Sequence, residues 1–187
     1  MTTTNSKVLK SKLIELLRAR SVILGDFTLS SGRRSGYYID ARRTTMSAEG
    51  LAVIGDLGLA AIRAEQWSAS SVGGLTLGAD PIAYAIALAS RARPPVLDAF
   101  TVRKEPKAHA TGKQIEGCFE PGTQVVVVED TLTTGASAVR AAAAVRAAGG
   151  SVSGVLGLVD RHEGGLEAVR AAGYAVVSLV SIHELGL

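Results

Sequence analysis

One segment limits the choice of fold more than any other. Val125-Val126-Val127-Val128 is an unbroken β-branched run, which suits a strand buried on both faces. It leads into two adjacent carboxylates, Glu129 and Asp130, then into Thr131-Leu132-Thr133-Thr134-Gly135-Ala136-Ser137, and then into an Ala-rich stretch. A strand of this kind needs helices above and below it. Apolar spacing predicts them over Ser6–Arg20, from Ser47 to about Glu65, and over Gly78–Ser90, Gly135–Ala148 and Leu166–Ala172. Ser47 is placed to cap its helix, Glu49 suits that helix's positive end, and Gly149-Gly150 is a stop signal. Short apolar runs predict strands at Ser68–Val72, Val96–Val102, Val125–Val128, Ser151–Val159 and Ala175–Ile182. This alternation predicts an α/β fold with a mainly parallel central sheet flanked by helices. Phe27–Leu29 and Tyr37–Asp40 break the alternation. They read as short strands around a polar turn, Ser30–Gly36, in a small subdomain. Arg103–Gly117 has no apolar period and reads as a long loop.

At 187 residues the chain is long enough for one domain with a full core and short for two. Aromatics are only 4%, so the core must be built from Ala, Val, Leu and Ile. The formal net charge of +3 comes without the clustered basic face of a duplex binder, so no nucleic acid partner is expected. Cys118 is the sole cysteine, which rules out an intrachain disulfide and suits a reducing compartment. The start MTTTNSKVLK lacks the apolar core of a secretory signal, and no apolar window reaches the roughly 18–20 residues of a membrane span. A cytoplasmic location without membrane contact is therefore expected.

The run Val125–Ser137 carries the chemistry. Open α/β sheets bind ligands at the carboxyl ends of their strands. A turn that opens a helix presents free backbone N–H groups to an anion, and Thr133, Thr134 and Ser137 add hydroxyls. Gly135 lets the backbone approach closely. Glu129 and Asp130 would repel that anion but accept hydrogen bonds from vicinal hydroxyls. Diol acceptors followed by a phosphate cradle describe a ribose 5-phosphate. The spacing GxxxxGK[ST] is absent, as is GxGxxG, so neither triphosphate hydrolysis nor a dinucleotide site is supported. A second cluster, Arg103, Lys104, Lys107, His109 and Lys113, faces only Glu105 in sequence. A lid with such cations would meet a polyanionic leaving group and exclude water on closure.

Val125–Ser137 resembles the phosphoribosyl pyrophosphate motif of the type I phosphoribosyltransferases. The segment Phe27-Thr28-Leu29-Ser30-Ser31-Gly32-Arg33-Arg34-Ser35-Gly36-Tyr37-Tyr38 is similar to the hood of the orotate phosphoribosyltransferase family. Phe100–Lys113 resembles that family's mobile catalytic loop, and Val159-Asp160-Arg161-His162-Glu163-Gly164-Gly165 its late orotate-contacting turn. The resemblance implies a type I phosphoribosyltransferase fold in one domain, 1–187, with the hood mainly from 1–45. It implies a glycosyltransferase that moves ribose 5-phosphate from 5-phosphoribosyl 1-diphosphate to orotate, a step of pyrimidine biosynthesis. By resemblance the diphosphate substrate is bound by Arg103, Lys104, Lys107, His109, Glu129, Asp130, Thr131, Leu132, Thr133, Thr134, Gly135, Ala136 and Ser137. Orotate is held by Thr133 and Arg161, and Lys107 and Asp130 serve catalysis. Magnesium is implied as cofactor, held mainly by substrate and water and not by protein ligands. A homodimer that shares the mobile loop across subunits is also implied.

The chain departs from the family at three places. Tyr38 and Ile39 stand where paired aromatics cover the pyrimidine. Ser30 stands where many members have a lysine that meets the diphosphate. The loop Gly73–Asp80 has no lysine either. The residues alone leave two other readings open. One is the same transfer to another base, such as a purine. The other is a non-catalytic regulator that binds the same sugar phosphate.

Overall fold

Short β-branched runs alternate with Ala- and Leu-rich ones, and the elements follow that alternation. The computed structural model describes residues 3–28, 34–105 and 113–187. The first half contains α1 (Thr3–Arg20), β1 (Val22–Thr28), β2 (Arg34–Ile39), α2 (Arg42–Thr45), α3 (Ala48–Ala64), β3 (Ser71–Leu75) and α4 (Ala79–Arg91). The second contains β4 (Asp98–Val102), β5 (Ile115–Gly117), β6 (Gln124–Leu132), α5 (Ala136–Ala147), β7 (Ser151–Asp160), α6 (Gly165–Ala171), β8 (Val176–Ser181) and a final 3-10 turn, Ile182–Leu185.

Six strands form one sheet in the order β5-β4-β3-β6-β7-β8, parallel except for β5. The valine run sits at its centre. Val126 and Val128 enter the core shared with α1, α3 and α4, while Val125 and Val127 enter the core shared with α5. All four are fully buried, as a strand covered on both faces requires. Ser47 caps α3 by accepting from the Gly50 N–H at 3.1 Å. β1 and β2 pair antiparallel as a separate two-stranded sheet. Among the described residues no helix is long and apolar enough to cross a membrane.

Several boundaries differ from the sequence expectation; β3 lies at Ser71–Leu75 and not Ser68–Val72, because Gly73, Gly74 and Leu75 still pair with β4. Residues 115–117 are β5 and not loop: Ile115 is apolar within a charged stretch and buries against Val102 at the sheet edge. β6 continues past the valines because Glu129, Thr131 and Leu132 still find partners on β7, at Gly157, Val159 and Asp160. The hood strands are longer than expected. Local pattern hides them because the register shifts between Leu24 and Phe27, at a bulge containing Gly25.

Candidate active site

The chain runs outward from β3 to β4 and β5, then returns to β6 on the other side of β3. Reversals of this kind open a crevice between neighbouring strand ends. A cleft of about 330 Å³ lies there. Its walls come from residues 38–42 of the hood edge, residues 75–78 after β3, Lys104, residues 129–131, Thr133, Ser137 and Arg161.

Glu129 and Asp130 are the last polar pair on β6, and both are largely shielded from water. Burial, then the neighbouring Asp130 charge, pushes the Glu129 carboxyl up to about 8. Burial also raises Asp130, against opposing hydrogen bonds from Glu129 and the Thr131 backbone and the charge of Arg42. Burial thus favours the protonated form at Glu129. Glu129 Oε2 is buried and has no hydrogen-bond partner among the described residues. Such an oxygen suits a hydroxyl-bearing ligand. Gly78 makes room for this pair, since a Cβ there would lie 2.7 Å from the Asp130 carboxyl.

The turn after β6 is locked by backbone contact. Gly135 adopts φ +73° and precedes α5, and a Cβ on it would meet the Gly165 carbonyl oxygen at 2.7 Å. Gly165 in turn packs against the Thr133 carbonyl, 3.0 Å from where its own Cβ would stand. The first N–H groups of α5 have no partner inside the helix, so the turn offers donors to an anion. Thr134 is exposed, and its hydroxyl accepts only a long 3.4 Å bond from the Ala136 N–H. Ala136 is exposed, while Ser137 lines the cleft. Leu132 faces the core, and its carbonyl accepts from the Arg161 N–H at 3.0 Å.

Arg161 follows β7 and is only 8% exposed, so it is a buried cation and not the surface ion pair its sequence neighbours suggest. Its Nη2 lies 2.9 Å from Glu163 Oε1, and its guanidinium sits 5.4 Å from the Tyr37 ring centroid. Nε and Nη2 are both without an aligned hydrogen bond among the described residues. A buried guanidinium in that state is ready for a planar anionic partner. Tyr38 and Ile39 also line the cleft. Tyr38 is 39% exposed, whereas Ile39 is buried.

The basic segment is seen at its two roots. Lys104 lines the cleft, and Arg140 of α5 donates to its carbonyl. Arg103 lies outside the cleft lining; its Nη1 is 3.8 Å from Glu116 Oε1 on β5. Lys113 is exposed. Lys107 and His109 lie outside the described residues, as does Ser30.

No family model matches the chain. Whole proteins do. Orotate phosphoribosyltransferase of Mycobacterium tuberculosis (strain ATCC 25177 / H37Ra) is 48% identical over 178 residues, 95% of this chain and 97% of the relative. The chain belongs to the orotate phosphoribosyltransferase family. The Aquifex aeolicus member is 44% identical over 179 residues, 94% of this chain and 97% of its own. The crystal structure of the M. tuberculosis H37Rv enzyme in complex with 5-phospho-alpha-D-ribosyl 1-diphosphate superposes with a TM-score of 0.81 at 44% identity. It covers 96% of this chain and 99% of that one. The type I phosphoribosyltransferase fold read from the sequence is thus the fold of the molecule.

Within this orotate phosphoribosyltransferase, the structure brings Lys104, Glu129, Asp130, Thr131, Thr133, Ser137 and Arg161 to one cleft. On the opposite wall, sequence reasoning missed Arg42 and noted the loop Gly73–Asp80 only for its missing lysine. Asp80 shapes that wall from behind, accepting from Thr76 Oγ1 at 2.7 Å and Thr101 Oγ1 at 2.9 Å. The one local signal was the small pair Gly78-Ala79, which permits close approach after a strand.

Proposed function

We propose that this orotate phosphoribosyltransferase joins orotate to 5-phosphoribosyl 1-diphosphate in the cleft at the ends of β3 and β6. The products are orotidine 5′-phosphate and diphosphate, and the step belongs to pyrimidine biosynthesis. One observation carries the reading: a shielded carboxylate pair, a helix N-terminus behind a left-handed glycine and a buried arginine line or border one cleft. The 5-phosphate rests on the turn 133–137. Asp130 and Glu129 take the ribose hydroxyls. Arg161 and Thr133 hold orotate, the guanidinium pairing with its carboxylate. Orotate N1 forms the bond to the anomeric carbon as the bond to the diphosphate oxygen breaks, and the electron pair leaves with diphosphate. Asp130 offsets the positive charge that develops on the ribosyl centre. Lys107, with Arg103, Lys104 and His109, meets the charge on the leaving group. No protein nucleophile is needed.

Among the described residues no three His, Cys, Asp or Glu side chains converge as a metal site. On this reading magnesium would rest on substrate oxygens and water and supply charge neutralisation for the diphosphate. The reading includes a homodimer whose basic loop is shared across subunits. Arg103 lies outside its own cleft's lining, and Leu77, Tyr84 and Leu88 are large apolar side chains open to solvent near α4. It also takes 1–187 as one catalytic domain with the hood mainly from 1–45, working in the cytoplasm. The exposed, unpaired Cys118 suits that reducing compartment. The direct test follows base consumption with orotate, uracil and hypoxanthine, with and without magnesium. Turnover of orotate alone, dependent on magnesium, is expected; turnover of hypoxanthine alone would overturn the assignment.

A further inference from the structure

Three cationic side chains among the described residues line the cleft: Arg42, Lys104 and Arg161. Arg161 is assigned to the orotate carboxylate on the proposed reading, and Lys104 belongs to the basic segment. Arg42 comes from another part of the fold, and none of the sequence motifs points to it. We propose that Arg42 binds the diphosphate group of the sugar substrate. The inference rests on the reading of this cleft as a 5-phosphoribosyl 1-diphosphate site.

Arg42 opens α2, directly after the hood strand β2, on a firm base. Thr44 and Thr45 beside it are fully buried, and Thr44 Oγ1 pairs with Ser21 Oγ at 2.7 Å and donates to the Leu16 carbonyl at 3.3 Å. Arg42 Nε donates to Asp40 Oδ1 at 2.9 Å, which orients the guanidinium through its inner nitrogen. Its two terminal nitrogens make no hydrogen bond to any described residue. Two parallel N–H donors on a planar cation match two oxygens of a phosphate. Arg42 lines the same cleft as Asp130, the carboxylate that takes the ribose hydroxyls on this reading, and their charges act on each other.

Stereochemistry then places the diphosphate. In the α anomer the 1-oxygen lies on the same face of the ribose as the 2- and 3-hydroxyls. A carboxylate that receives those hydroxyls therefore stands beside the diphosphate, and Arg42 lines the cleft that holds that carboxylate. The loop after β3 supplies no charge to the cleft, since Thr76, Leu77 and Gly78 are neutral and Leu77 is 55% exposed. A multiply charged group set against Asp130 and Asp40 needs a fixed cation on that side.

Calorimetry in magnesium buffer tests this with three probes: 5-phosphoribosyl 1-diphosphate, inorganic pyrophosphate and orotidine 5′-phosphate. Arg42→Gln is expected to weaken the first two about 10- to 100-fold, as loss of a charge-assisted pair would. Orotidine 5′-phosphate, which has no diphosphate, should bind as to wild type, and Arg42→Lys should recover part of the loss. Unchanged pyrophosphate affinity in Arg42→Gln, with wild type binding all three, would show Arg42 to be a counter-ion of Asp40 only and leave the family reading intact. An equal loss for orotidine 5′-phosphate would overturn the assignment to the diphosphate. A wild-type protein that binds no 5-phosphoribosyl 1-diphosphate would overturn the site reading and this inference together.

Discussion

One wall of the cleft is a single continuous piece of chain, residues 129–137. The other is collected from β2, α2, the loop after β3 and Lys104. The continuous wall is rigid by construction: β6 pairs on both sides, and Gly135 and Gly165 interlock the turn. On the proposed reading it suits groups whose charge does not change in the reaction, a 5-phosphate and a neutral diol. The collected wall brings Arg42 and Lys104 from separate elements to the other side of the cleft, where that reading puts the diphosphate. The difference teaches that the two ends of one sugar phosphate can be met by differently built parts of one site.

The largest test of that division is Lys107→Ala. It should lower kcat about 100-fold while the Kd of 5-phosphoribosyl 1-diphosphate changes little, because the charge it meets forms on departure. Single-turnover rates beside equilibrium binding separate the two quantities, and a turnover near wild type would erase the division. Arg161→Ala comes next. Losing a buried guanidinium from a carboxylate costs about 2 kcal/mol, so KM for orotate should rise some tens of fold while the affinity for 5-phosphoribosyl 1-diphosphate holds. Steady-state kinetics with each substrate varied would show it.

Two glycines compare the walls directly. Gly135→Ala forces a side chain into the left-handed region and against the Gly165 carbonyl. About 1–2 kcal/mol is expected, a fall in Tm of roughly 2–4 °C per kcal/mol, together with weaker phosphate binding. Gly78→Ala meets only the end of the Asp130 side chain. It should cost activity with little change in Tm. If Gly78→Ala unfolds the protein and Gly135→Ala does not, the walls have been read the wrong way round.

The smallest effect is a pH dependence. The Glu129 carboxyl is raised from 4.5 to about 8 in the folded chain. Between those values the folded form binds a proton that the unfolded form has released, so this group's contribution makes stability fall as pH rises. Glu129→Gln removes the effect. Its Tm relative to wild type should climb from pH 5 to pH 8 and level off above that. A difference that stays flat across this range would mean that Glu129 is not held protonated by burial.

The central strand was legible because four successive β-branched residues fit few other environments. The turn from β6 into α5 was legible because its strand, Gly135 and helix start follow one another along the chain. Arg161 was singled out through family resemblance, but its burial was not legible: Glu163 and Tyr37 reach it only after the turn folds. β5 could not be read locally, because three residues become a strand only when an edge is present to pair with.

The order of β6, Glu129-Asp130 and the Gly135 turn was determined by sequence alone, since each part acts on its immediate neighbours along the backbone. Tertiary structure decided what stands opposite. Arg42 joins Asp130 at one cleft, and Gly78 packs on Asp130, only because β3 and β6 are adjacent and the hood edge borders the same crevice. Neither contact leaves a periodic or spacing signal, because electrostatics and packing act through space between residues far apart in the chain.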